Sequence, residues 1–434
     1  MVKRKSVAIV GAQWGDEGKG KIVDYLCTEA SKLSRASLSP SSLGKPVLVR
    51  RYQGGGNAGH TVIVGDQKYQ LHLVPSGILI SEAYNLLGCQ VFVNPRLLMT
   101  EIKGLQQRGV RISSDNFGIA ANAHVTLDYH VAEDQEAFKQ ARHTSTGNGI
   151  KQTAVDKQAR QGIRFVEFLD RTTLKEVLIA RAGYLPLKTA TAEKMIASYA
   201  EAIDFLSQFL TQEHDVMRKH DANFEIWEGA QGIMLDVDVG EYPGTTSSNP
   251  AFIPGKTDLR LGVFKLYTSS AGTGDRPFVS QMDQTLEQAV RTPWDEFGTT
   301  TGKPRDIGWF DCVAARYAVE AANLDYAIGT CGDKLSILAE MRQPLKLVVG
   351  YKVGSQEYSS WDTSFHKRGQ LKNAEPVVEE FKPWEGFADD NGKLTAEAQA
   401  YTERIEQLLG IDFIMYGTGP KQDDIMVLRE PWDL

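Results

Sequence analysis

Apolar runs of strand length alternate along the chain with stretches of helical period. Residues 7–10, 91–93, 224–227, 264–267, 326–328 and 413–416 each lead into a glycine-containing turn or a helix-start signal. Short unbroken apolar runs suit strands covered on both faces, and helices between them make the crossovers that parallel strands require. The pattern therefore predicts an α/β fold: a large, mainly parallel, twisted central sheet flanked by helices. In the clearest unit the strand at 91–93 is followed by Asn94 as N-cap and Pro95 at the first helical position, then Leu98, Ile102 and Leu105 on one face until Gly109. A second helix is predicted from Ala192 to Gln212, with Ile196, Ile203, Leu206 and Leu210 on its buried side. Residues 61–64, the pair Gly65-Asp66 and residues 69–73 read as an antiparallel hairpin leaving the main sheet, and the Ser-rich stretch 31–44 as an exposed loop insertion. Neither an internal repeat nor an interdomain linker stands out, so residues 1–434 are expected to form one large domain with subdomain insertions.

Composition narrows the class. The chain of 434 residues carries 48 Lys and Arg against 55 Asp and Glu, a net charge of −7, and is 42% hydrophobic, which excludes fibrous, disordered and disulfide-scaffold proteins. With both signs dispersed there is no basic field for nucleic acid, which is not expected as a partner. The start imitates the basic region of a signal peptide, but its apolar run is only about five residues, and nothing approaches the ~18 apolar residues of a membrane span. Cys27, Cys89, Cys312 and Cys331 show no C-x-x-C spacing, so reduced thiols and a cytoplasmic location are expected, with no membrane partner.

Two glycine-rich motifs carry chemistry. Residues 11–21 (GAQWGDEGKGK) follow a predicted strand and open a predicted helix; glycines there let backbone N–H groups approach phosphate, and the helix N-terminus with Lys19 adds positive potential. A standard P-loop would need Gly at position 13 and Ser or Thr at 20, but Gln13 and Gly20 stand there. The missing hydroxyl normally binds Mg²⁺; Asp16, inside the loop, is placed to take the metal or to act as a base. The plain alternative is a glycine-rich turn with a solvated acid and two exposed lysines. The second motif, residues 53–61 (QGGGNAGHT), puts His60 on a backbone-exposing loop where a general-acid role is open to it, although a lone His is more often structural.

These motifs, together with residues 72–77 (HLVPSG), Glu228-Gly-Ala-Gln-Gly232 with Tyr242-Pro243 and Thr246-Ser-Ser-Asn249, Thr299-Thr-Thr-Gly302, and Gly417-Thr-Gly-Pro420, occur in the order of the adenylosuccinate synthetase family, which the chain resembles over nearly its whole length. The resemblance implies a C–N bond-forming ligase that joins IMP and L-aspartate with GTP and Mg²⁺ in AMP biosynthesis, through a 6-phosphoryl-IMP intermediate. It makes Asp16, His60, Lys19 and Gln231 catalytic. It assigns GTP to Gly15, Glu17, Gly18, Lys19, Gly20, Lys21, Gly59, His60, Thr61, Arg305, Asp333, Gly417, Thr418, Gly419 and Pro420. IMP falls to Asp16, Asn57, Ala58, Thr146, Arg160, Gln231 and Thr246, aspartate to Thr299, Thr300, Thr301, Lys303 and Arg305, and the metal to Asp16 and the Gly59 carbonyl. It also implies a homodimer, with Arg160 completing the partner's IMP site.

Some positions depart from the family's usual residues. Cys331 replaces a lysine expected beside the base, and Lys303 replaces an arginine, exchanging a planar fork for a point charge. Gly56 stands where a histidine is usual, and Asn148 where an arginine is. Alternative readings are a paralogue with another purine nucleotide, phosphate donor or amino acid, or a nucleotide-binding regulator without turnover. A GTPase switch is disfavoured by the absent P-loop hydroxyl.

Overall fold

The computed structural model describes residues 4–37, 45–140, 147–181, 189–220, 222–270, 278–298 and 302–434. The chain divides into two compact units: residues 1–6, 23–59 and 71–228 form the first, and residues 7–22, 60–70 and 229–434 the second. The fold is α/β with a mixed, mostly parallel sheet.

In the second unit, strand Lys5–Gly11 pairs in parallel with Leu259–Lys265, that strand with Tyr326–Thr330, and that with Phe413–Gly417; the antiparallel Ile425–Val427 follows. From Ser6 to Gly11 every residue of the first of these is buried, as an unbroken apolar run predicts for a strand covered on both faces. Because these neighbours run in one direction, the loops after Gly11, Lys265, Thr330 and Gly417 all leave the same edge of the sheet. That edge, at the carboxyl ends of parallel strands, is where α/β folds assemble sites. A smaller sheet joins Leu345–Val353 with Phe310–Asp311, Gln356–Tyr358 and Glu375–Phe381.

In the first unit, Val47–Gly55 lies in parallel between Phe224–Glu228 and Ala83–Val93, and Phe117–Ala120 and Leu210–Thr211 continue the run. The clear unit of the sequence is present: helix Pro95–Gln107 starts on Asn94, whose side chain accepts from Arg96 N and Leu97 N, and it buries Leu98, Ile102 and Leu105. The hairpin is present too, as His60–Val64 and Gln67–Leu71, its residues up to Gln70 counted with the second unit, with Gly65 at φ +59° in its turn.

Two expectations are corrected. The predicted helix from Ala192 to Gln212 is broken: Thr189–Ser198 and Ala200–Leu206 are separated at Tyr199, and Leu210 is 40% exposed in a two-residue strand. Pairing of Ile119 with Leu210 takes the segment into the sheet, overriding its helical period. The loop expected over 31–44 is in part helix, because Lys19–Ser37 runs through it with Ser31 and Ser34 buried; Ser34 Oγ bonds back to the Ala30 carbonyl at 2.8 Å, which satisfies a hydroxyl inside a helix. The remainder of that stretch, 38–44, lies outside the described residues. Among the described residues no helix is long and apolar enough to cross a membrane.

Candidate active site

Between strand Lys5–Gly11 and helix Lys19–Ser37 the loop turns through Gly15 at φ +91°, Asp16 at +58° and Gly18 at +88°. This left-handed path is open to glycine and tolerable for aspartate. Gln13, which breaks the P-loop pattern, is buried and sews the loop to the neighbouring strand. Its side-chain oxygen accepts from Lys265 N at 2.9 Å, and its nitrogen donates to the carbonyls of Lys265 at 3.1 Å and Tyr267 at 3.0 Å. A glycine could not make these bonds.

Glu17 turns inward and is fully buried. Its carboxylate accepts from Gln13 N at 3.1 Å, Gly15 N at 2.9 Å and Lys19 Nζ at 2.5 Å. Space for it exists only because two neighbours lack side chains: a Cβ on Gly232 would come within 2.5 Å of Glu17 Oε1, and one on Gly11 would strike Oε2. Thr330 Oγ1, from the next strand but one, donates to the Glu17 carbonyl at 2.7 Å. The loop is thus preset from below, and the first turn of the helix, whose N–H groups have no intrahelical acceptor, follows directly at Lys19.

Asp16 turns the other way. Its side chain keeps 31% of its exposure and pairs with Arg305 Nη2 at 2.7 Å. The other end of that guanidinium, Nη1, donates to Glu296 Oε2 at 2.9 Å, and Glu296 Oε1 accepts from Lys265 Nζ at 2.7 Å and Tyr267 Oη at 2.5 Å. Burial works against both charges. Lys265 and Arg305 nevertheless hold the Glu296 carboxyl down to about 2, and Asp16 and Glu296 make Arg305 more basic than an ordinary arginine. The next residue, Asp306, opens strand Asp306–Gly308, and burial and Glu287 push its carboxyl up against the pull of Arg291.

A second cluster forms around Lys21. Its ammonium donates to the carbonyls of Gly419 at 2.6 Å and Asp424 at 2.7 Å, so a cation on the first helix holds the loop after Gly417. Burial lowers the Lys21 pKa against the pull of Asp424, Cys331 and Asp333. Within the loop, Thr418 N donates to the Asp424 carbonyl at 2.8 Å, and Pro420 is exposed. Asp333 opens a short 3₁₀ turn; burial pushes its carboxyl up, opposed by Lys334 and Lys21. Cys331 sits at φ +61°, and Trp384 Nε1 donates to the Gly332 carbonyl at 3.0 Å, so that turn is capped by an aromatic ring.

The second unit therefore brings together Gly15 to Lys21, Gln231, Thr246, Arg305, Asp333 and Gly417 to Pro420, and it also holds His60, Thr61 and Lys303. Gln231 takes φ +55°, and Thr246 N donates to the Leu235 carbonyl at 2.7 Å. His60 begins a strand and is 6% exposed, where the sequence placed it on a backbone-exposing loop. Lys303 is exposed near the neck of a hairpin in which Gly298 N donates to its carbonyl at 2.8 Å. Asn57, Ala58 and Gly59 belong to the first unit, where Leu97 occupies the space a side chain on Gly56 would need. Arg160 is also there, exposed at φ +61° just past helix Ile150–Gln158. Thr146, Thr299, Thr300 and Thr301 lie outside the described residues.

Sequence reasoning missed Glu296, Lys265, Tyr267 and Thr330. One signal was legible: Lys265 interrupts an apolar strand, and a lysine buried in a sheet needs a charged partner.

The profile of the adenylosuccinate synthetase family matches residues 8–426. The chain is 36% identical to the adenylosuccinate synthetase of Bacillus cereus over 456 residues, covering 99% of each, and 34% identical to that of Streptococcus gordonii over 452 residues, covering 98% of this chain and 99% of the other. Among solved structures, the fully ligated adenylosuccinate synthetase of Plasmodium falciparum superposes with a TM-score of 0.82 at 27% identity, over 98% of this chain and 99% of that one. From the phosphate loop to the loop after Gly417, the motifs fall within a likeness that runs end to end, and the chain belongs to the adenylosuccinate synthetase family.

Proposed function

We propose that this chain is the ligase of purine nucleotide biosynthesis that joins IMP and L-aspartate to give adenylosuccinate, with conversion of GTP to GDP and phosphate. Family membership supports the overall reaction. One observation supports the residue-level reading: a partly exposed carboxylate, Asp16, meets a guanidinium 2.7 Å away at the mouth of a preset phosphate loop. Asp16 has the access needed to exchange its partner for substrate, while Arg305 reaches it from a buried position.

In the first step Asp16 takes the N1 proton of IMP while O6 attacks the γ-phosphorus of GTP; the bond to the β–γ bridging oxygen breaks, and GDP leaves. In the second, the amine of aspartate attacks C6 of 6-phosphoryl-IMP, the C6–O bond breaks, and phosphate departs as the amine loses a proton. Phosphoryl transfer depends mainly on positioning and charge neutralisation, which backbone N–H groups from Gly15 to Lys21, the Lys19 ammonium and His60 supply. Lys19 then exchanges part of its bond to Glu17 for phosphate. Gln231 and Thr246, with Asn57, Ala58 and Thr146, orient IMP. Asp333 reads guanine N1–H and N2–H₂, and the loop of Gly417 to Pro420, held by Lys21, flanks the base. Thr299 to Thr301, Lys303 and Arg305 bind the carboxylates of aspartate.

Mg²⁺ suits the donor present: Asp16 offers a hard, partly exposed oxygen, and this ion is usually held by one or two carboxylates with phosphate oxygens, not by a protein cage. Asp16 and the Gly59 carbonyl would hold it, and it would neutralise phosphate charge. Arg160, exposed beside a helix whose Val155 is 58% exposed, is the group we assign to the partner's IMP site in a cytoplasmic homodimer.

The test mixes purified protein with IMP, aspartate, GTP and Mg²⁺ and follows the purine absorbance together with phosphate release. Stoichiometric adenylosuccinate and phosphate are expected. Turnover only with another nucleotide or amino acid would move the reading to a paralogue, which the substitutions at Cys331 and Lys303 make the specific alternative. Binding without turnover would make the chain a regulator.

A further inference from the structure

Glu296 and Arg305 face each other across the neck of a hairpin. Arg305 N donates to the Glu296 carbonyl at 3.0 Å, and Phe297 bridges Pro304 in antiparallel fashion. The segment between them carries Lys303, which the reading above assigns to the amino acid. Glu296 has no solvent exposure, Lys265 has 3% and Arg305 6%. The bonds form a ring that starts and ends on the phosphate loop. Gln13 holds the backbone of Lys265 and Tyr267, their side chains hold Glu296, Glu296 holds Nη1 of Arg305, and Nη2 of Arg305 returns to Asp16. Two carboxylates and two cations balance within it.

Resting on the functional reading above, we infer that Glu296 is a positioning residue of the ligation reaction. Anchored from behind by Lys265 and Tyr267, it fixes one end of Arg305 so that the other end is presented at Asp16, where the amino-acid substrate is received. The geometry fits this role in two ways. The Glu296 carboxylate divides its oxygens, Oε2 to Arg305 and Oε1 to Lys265 and Tyr267, so Arg305 pivots on a group that is itself immobilised. When Nη2 moves from Asp16 to a substrate carboxylate, Glu296 keeps its neutralising partner Lys265, and no uncompensated charge is left buried. Arg305 supplies the contact to substrate; Glu296 acts only through it.

A double-mutant cycle tests this: Glu296→Gln, Arg305→Lys and the double variant, assayed for KM of aspartate, GTP and IMP and for kcat. Glu296→Gln is expected to raise the aspartate KM roughly ten- to a hundredfold, the range for losing a hydrogen bond to a charged group, and to shift the KM for GTP and IMP by less than about threefold. In the Arg305→Lys background the same change should alter the aspartate KM by less than about threefold, because the fork that Glu296 positions is already gone. A purely structural role would instead give effects that multiply in both backgrounds, or KM values for all three substrates rising together, and either result overturns the inference. If Glu296→Gln does not fold, Tyr267→Phe, which removes one donor to Glu296, takes its place in the same cycle, with a smaller shift in the same direction. Absence of ligation by the unmodified protein overturns the functional reading; normal ligation with a multiplicative cycle overturns only the role of Glu296.

Discussion

Two ion pairs on one loop, one residue apart in sequence, are built for opposite purposes. Glu17 and Lys19 lie 2.5 Å apart with side chains 0% and 2% exposed, wedged where Gly11 and Gly232 leave room and tied to two backbone N–H groups. Asp16 and Arg305 lie 2.7 Å apart, but Asp16 keeps about a third of its exposure and has no comparable cage. Buried charges are costly to separate, so the inner carboxylate holds the shape of the loop; Asp16, which water reaches, is the carboxylate we propose for chemistry. Chemical type is the same in both. Burial decides the role.

The largest effect that would sharpen this contrast is kinetic. Asp16→Ala should lower ligation by ~10²–10⁴-fold, the usual worth of a general acid or base, while the urea midpoint of unfolding stays near that of the unmodified protein. Wild-type turnover in that variant would remove Asp16 from the mechanism. Next comes the inner pair: Glu17→Ala leaves the Lys19 ammonium buried without its carboxylate and should cost about 3–5 kcal/mol of stability in urea titration. Equal destabilisation by the Asp16 and Glu17 variants would erase the distinction between scaffold and chemistry.

The third prediction concerns pH. Glu296 has an ordinary value of 4.5 and is held at about 2 in the folded chain. A carboxyl depressed on folding contributes stability that is fully present above its unfolded pKa and is lost as pH falls through the folded one. The stability difference between the unmodified protein and Glu296→Gln should therefore shrink as pH drops from about 4.5 toward 2, and be level above that window. A difference that grows on acidification would contradict the charge pairing. Smallest is Lys303→Arg. Restoring a fork at an exposed position should lower the aspartate KM by about three- to tenfold, the scale of a modest charge-assisted contact, without changing the KM for GTP. Efficient use of a neutral amino acid by the unmodified protein would show instead that the two cations do not select a dicarboxylate.

Much of the molecule could be read from the chain alone, for a local physical reason. The run before Gly11, the Asn94-Pro95 helix start and the Gly65 turn are each decided within a few residues, by burial period, capping and backbone freedom, and they appear where the pattern put them. The same locality misled at 192–212, where helical period lost to strand pairing with residues about ninety positions earlier, and at Ser31 and Ser34, whose hydroxyls suggested a loop yet are buried in a helix.

Sequence by itself determined which residues could do chemistry: glycines, an acid and lysines at a strand-to-helix junction, in the order of one family. Only the tertiary structure decided how they divide the work. Asp16 and Glu17 are adjacent carboxylates whose different surroundings the motif does not describe. One faces outward to Arg305 because left-handed turns at Gly15, Asp16 and Gly18 reverse the backbone there; the other is swallowed because Gly232, more than two hundred residues away, has no side chain to exclude it. Glu296 carries no motif at all. The role we infer for it depends on partners from strands and a hairpin far apart in the chain, and the cost of burying charge requires that they meet.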